Sequence, residues 1–169
     1  MKTKKCLFVL VACLFCFAAV LTLCACDNSE KNGGQTSAIQ FYAEFNGVKI
    51  ELGKKAENVL AKLGDAKYAD NLGDCGGIGV QMKYTYDNVA VNTIKEKDGE
   101  VIHKIAFLND LVSTPKGISI GSSEDDVKKA YGEPSSSENG KLTYKSGDLE
   151  LEFTVKNGNV SAVNYRRLR

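Results

Sequence analysis

The chain has 169 residues, 43% hydrophobic and 25% charged, a balance that fits a folded domain and excludes a wholly disordered chain. Its 22 basic residues face 21 acidic ones, and three of the lysines (Lys2, Lys4, Lys5) fall in the first five positions, leaving the remainder slightly acidic. That balance argues against a nucleic-acid binder, which needs a basic face for phosphates, and the length excludes a large multidomain enzyme.

Residues 1–25 read as an export leader: a basic start, then no charged residue from position 7 to 25. Leu23-Cys24-Ala25-Cys26 closes the apolar run, and the polar stretch 27–38 begins at once. This tetrad resembles the lipobox of bacterial lipoproteins. The resemblance implies that Leu23, Cys24 and Ala25 are the signal-peptidase recognition positions and that Cys26 carries a diacylglyceryl group as the mature N-terminus. Only a thiol can form the thioether, and two or three acyl chains, at about 0.8 kcal/mol per buried CH₂, hold a membrane where one would leak. An uncleaved membrane-spanning anchor is the alternative. Either reading places the rest of the chain outside the cytoplasm, with the membrane as its first partner. Five of the six cysteines belong to the leader and its junction, so Cys75 alone remains and no intramolecular disulfide is expected.

Residues 26–38 are polar and glycine-containing, a flexible tether. Phe41, Ala43 and Phe45 then alternate with polar residues, as do Val48, Ile50 and Leu52, and Asn46-Gly47 between them is a strong hairpin signal. Residues 50–66 lie over 118–134 without a gap: Ile50/Ile118, Gly53/Gly121, Val59/Val127 and Gly64/Gly132 are identical. Each copy predicts a short helix. In the second, Ser122 is the expected N-cap with Asp125 three residues on, Val127, Ala130 and Tyr131 share a face, and Gly132 with Pro134 ends the helix.

Strands are expected after each helix: 79–86, 89–95 and 101–108 in the first half, then 141–145, 149–156 and 160–166 in the second. Asp87-Asn88, Asp98-Gly99, Ser146-Gly147 and Asn157-Gly158 are the turns. Leu149, Leu151, Phe153 and Val155 alternate with Glu150, Glu152 and Thr154, which predicts one buried and one wet face. The expected fold is α+β, in two tandem repeats (39–112 and 113–169), each a short helix or helical pair on one face of an antiparallel sheet. Ser113 to Lys116 is the expected joint.

Ile118, Gly121, Ser123, Val127, Gly132 and Pro134 spell IxxGxSxxxVxxxxGxP, echoed by Ile50, Gly53, Val59 and Gly64. This pattern resembles the BLIP-like/SmpA–OmlA (BamE-like) group of small extracytoplasmic domains, and it implies a protein-binding role. The chain lacks Trp and any disulfide, so the resemblance does not extend to β-lactamase inhibition. A family fold does not transmit a function.

The open face is expected to show Gln81, Lys83, Thr85, Asn92 and Lys104, followed by Glu150, Glu152, Thr154, Asn164 and Arg166. Lys83, Lys104, Glu150, Glu152 and Arg166 are its candidate binding residues. His103, the only histidine, has Cys75 as its sole thiol partner, without sequence context for activation. Glu150 and Glu152, two residues apart on a strand, suit paired-carboxylate chemistry in spacing, but surface ion pairing explains them more simply. One histidine and one cysteine are too few for zinc, Asp65, Asp70 and Asp74 do not form a calcium loop, and no cofactor is expected. The expectation is a lipid-anchored, non-enzymatic module for an envelope or extracellular protein. The alternatives are a small cell-wall hydrolase and a purely structural envelope protein.

Overall fold

The computed structural model describes residues 38–74 and 77–168, so the leader, the lipobox and Cys75 lie outside the described residues. The described residues form one compact unit. The chain enters through a hairpin, β1 (Tyr42–Phe45) and β2 (Val48–Glu51). Asn46 and Gly47 both take positive φ, 52° and 73°, the conformation that a two-residue hairpin turn requires. Helix α1 (Ala56–Leu63) follows, then the strands β3 (Tyr68–Asp74), β4 (Val80–Thr85), β5 (Val89–Glu96) and β6 (Gly99–Phe107) as a meander. Helix α2 (Glu124–Tyr131) opens the second half, and β7 (Ser136–Glu138), β8 (Lys141–Ser146), β9 (Leu149–Lys156) and β10 (Asn159–Arg167) complete it.

The two meanders fuse. β6 pairs with β10 in antiparallel register, Lys104 opposite Arg166 and Ala106 opposite Asn164, so the sheet runs β3-β4-β5-β6-β10-β9-β8-β7. Two four-stranded sheets would each leave a last strand with unpaired N–H and C=O groups, and pairing those two edges removes both liabilities. The expected α+β fold of two tandem repeats, each a helix on its own sheet, is therefore corrected. The described chain is mainly β, two eight-residue helices set against ten strands, eight of them in one antiparallel sheet.

One core lies on one face of that sheet. The row Tyr84, Val91, Ile105, Tyr165, Leu151 and Tyr144, each opposite the next across adjacent strands, meets Phe45 and Ile50 of the hairpin, Ala56 of α1 and Val127 of α2. Ile50, Ile105, Leu151, Val127 and Tyr165 are fully buried. Each such side chain contributes roughly 1.5–3 kcal/mol through removal from water. The segment before each helix is laced to a strand. The Gly53 amide donates to the Ile102 carbonyl (2.7 Å) before α1, and the Gly121 amide to the Val160 carbonyl (2.8 Å) before α2. This local correspondence of the two glycines does not divide the sheet.

Several local expectations shift by one residue. The α2 N-cap is Ser123, not Ser122: Ser123 Oγ accepts from the Asp126 amide (3.1 Å) and Asp126 Oδ2 from the Ser123 amide (3.3 Å). Gly132 closes α2 with φ 78°. The turns after β5 and β8 fall on Lys97-Asp98 and Gly147-Asp148, one residue from the positions expected. Strands β3 and β7 were not expected, although Asn139-Gly140, after β7, carries the same hairpin signal as Asn46-Gly47. In the link between β6 and α2, Thr114-Pro115-Lys116-Gly117 forms a β-turn closed by the Gly117 amide on the Thr114 carbonyl (2.8 Å), with proline at its favoured second position.

Candidate functional site

The face of the sheet turned from the core carries the candidate residues. A strand alternates its side chains, so the row next to the core row must point the other way. That row reads Lys83 on β4, Asn92 on β5, Lys104 on β6, Arg166 on β10, Glu150 on β9 and Lys145 on β8, each opposite the next. The five candidates named from sequence thus share one face, and four of them share one row. Glu152 stands in the neighbouring row, opposite Asn164.

The two glutamates are buried, not wet as expected: Glu150 is 4% and Glu152 8% exposed. Their neighbours cover them. Arg166 Nε donates to Glu150 Oε1 at 2.9 Å, and Lys145 Nζ lies 3.4 Å from Glu150 Oε2. Lys141 Nζ is 3.2 Å from Glu152 Oε2, and Arg166 Nη2 reaches the same oxygen at 3.4 Å. Long cationic side chains lay their methylene stems over the sheet and keep their charged ends near water, which removes the glutamates from solvent without leaving them unpaired. Lys141 and Lys145 were absent from the candidates. Their signal was alternation: Lys141, Thr143 and Lys145 interleave with Leu142 and Tyr144, the same period that marks β9.

Lys104 differs from these. It is half-buried, it sits beside Arg166 in the row, and it makes no ion pair among the described residues. Burial lowers its pKa, as do the cations of Arg166, Lys83 and Lys141, against the opposing pull of Glu152. Lys104, Lys141, Lys145 and Arg166 therefore gather around two carboxylates, and Lys83 lies two strands beyond Lys104.

His103 is the extra residue of a β-bulge in β6, between the pairs Asn92–Lys104 and Thr93–Ile102. Glu150 and Glu152 share a face as paired carboxylates would, but both are held by cations. Asp74 Oδ1 accepts from the Gly79 amide (3.0 Å), which ties the residue before β4 to the end of β3. No cluster of three metal-ligating residues occurs among the described residues. A hollow of about 450 Å³ opens between the first hairpin and the link, lined by Tyr42, Glu44, Leu111, Thr114 and Pro115. Another of about 300 Å³ lies beside α1, where Glu100 accepts from Thr93 Oγ1 (2.7 Å) and the Tyr84 hydroxyl (3.2 Å).

No family model and no curated protein matches the chain. Two solved structures are similar to it: an extracellular protein containing an SCP domain from Bacillus anthracis, at 14% identity and a TM-score of 0.43, and a cysteine-rich secretory protein from Staphylococcus aureus, at 16% and 0.48. Each similarity covers 69% of this chain and 44% of the other, so the chain spans less than half the length of the proteins it matches. These differ in fold from the BLIP-like/SmpA–OmlA (BamE-like) group, and the resemblance to that group is corrected. The motif residues Ile118 to Pro134 instead build one short helix and its lacing onto a shared sheet. No helix among the described residues is long and apolar enough to cross a membrane.

Proposed function

We propose that this protein is a lipoprotein anchored through Cys26 at the extracytoplasmic face of the cell membrane, and that it binds another envelope or extracellular protein without catalysing a reaction. The observation that carries the binding role is the charged row from Lys83 to Lys145 on the face turned from the core, whose one carboxylate, Glu150, is held by cations. The basic-apolar leader and Leu23-Cys24-Ala25-Cys26 support the anchor. A rigid sheet face presents side chains at fixed spacing, which suits recognition of a surface more than enclosure of a small substrate.

The test joins two measurements. Mass spectrometry of the mature N-terminus is expected to find diacylglyceryl-modified Cys26. A photo-crosslinking residue at position 83 is expected to capture a defined protein in intact envelopes, and the same residue at position 57, on α1, is expected not to. An unmodified Cys26 in cytosolic protein, or equal capture from both positions, would overturn the reading.

A further inference from the structure

We infer that the face turned from the core recognises an acidic segment of its protein partner, whose carboxylates pair with Lys104 and Lys83. The inference rests on the protein-binding reading above and names the chemistry of the partner. Glu150 and Glu152 already use Arg166, Lys141 and Lys145. Lys83 and Lys104 are left without an ion pair among the described residues, and two strand spacings of about 4.8 Å separate them across Asn92. A half-buried ammonium flanked by other cations is the arrangement that an incoming carboxylate relieves, because it adds counter-charge beyond the pull of Glu152 where water is already reduced. Burial and like charge both lower the Lys104 pKa, in keeping with that geometry.

The row also favours a polypeptide over a phosphate polymer. Asn92 stands between the two lysines, and half-buried Asn164 stands beside Arg166 on β10. Side-chain amides both donate and accept, which matches a peptide backbone, whereas a phosphate backbone offers only acceptors.

The experiment uses the full chain in nonionic detergent and a fluorescein-labelled oligoglutamate peptide, with inorganic polyphosphate as competitor. Fluorescence anisotropy is expected to show salt-sensitive binding that weakens about tenfold or more in Lys104→Met and in Lys83→Met, the loss expected when one partner of a partly desolvated charge pair is removed. Lys104→Arg, which keeps the charge, should retain binding, and thermal unfolding of each variant verifies the fold. Polyphosphate that competes as well as unlabelled oligoglutamate would overturn the acidic-segment assignment, as would oligoglutamate binding unchanged by both lysine substitutions. Absent binding, with crosslinking at position 83 still capturing a protein, would overturn this inference and leave the protein-binding reading in place.

Discussion

Arg166 stands directly opposite Glu150 in the β9–β10 register, and its Nε donates to Oε1 of that buried carboxylate at 2.9 Å. The arginine is itself partly exposed, with 42% of its side chain accessible, so solvent screens part of the attraction. Arg166→Ala would take away the closer cation and part of the cover of Glu150, leaving Lys145 at 3.4 Å as its main partner. A loss of about 2 kcal/mol is expected, below the 3–5 kcal/mol of a fully buried broken pair. Urea unfolding measures it. Adding Glu150→Leu to Arg166→Ala should recover much of the loss, and a double variant no better than the single would contradict the assignment.

Lys104 is expected to trade stability for binding. Its ammonium is pulled below the ordinary 10.5, first by burial and then by Arg166. The folded chain thus holds this proton less tightly than the unfolded one, so at neutral pH the charge opposes folding. That opposition fades as pH rises through the lowered value toward 10.5. Lys104→Met should raise the urea midpoint at neutral pH, with the gain shrinking in alkali. A variant less stable than the parent at neutral pH would contradict this.

Tyr144 ties β8 to the end of α2. Its buried hydroxyl donates to the Gly132 carbonyl at 3.0 Å. Burial, and to a smaller degree the negative charge of Glu133, raise its pKa from 10.0 to about 12. A raised value means that its contribution is complete below 10.0 and lost as pH climbs through about 12. Tyr144→Phe should cost about 1 kcal/mol at neutral pH through the lost hydrogen bond. Paired urea titrations should show the difference closing above the raised value.

Gly140 occupies the turn between β7 and β8 with φ 72°, and a Cβ there would stand 2.8 Å from the Val155 carbonyl oxygen. Its own carbonyl accepts from the Val155 amide at 2.6 Å, so the turn cannot easily back away. Gly140→Ala should lose about 2 kcal/mol or more, combining positive φ with a backbone clash. Gly147→Ala, at φ 59° with open space around it, should lose less. Thermal unfolding of the two variants, side by side, provides the comparison.

Local chemistry was legible in the residues themselves. Asn46-Gly47 and Asn157-Gly158 specify their turns because only residues tolerant of positive φ close two-residue hairpins. Val127, Tyr131 and Gly132 specify the buried face and end of α2, and the alternation in β9 separates Leu151 and Phe153 from Glu150 and Glu152. The same period put Lys83, Lys104 and Arg166 on the face away from the core. Sequence alone, however, did not show that Lys104 would meet Arg166, because the two lie in different halves of the chain and become neighbours only when β6 pairs with β10. Nor did it show β3, a mostly exposed edge strand whose residues carry no apolar alternation and whose order comes from the β4 backbone. Burial of Glu150 and Glu152 likewise had no local signal, since the side chains that cover them come from β8 and β10. Periodicity is a property of one strand, whereas partner choice and solvent exclusion depend on which strands lie side by side, and that was decided by the need to pair two open edges over one core.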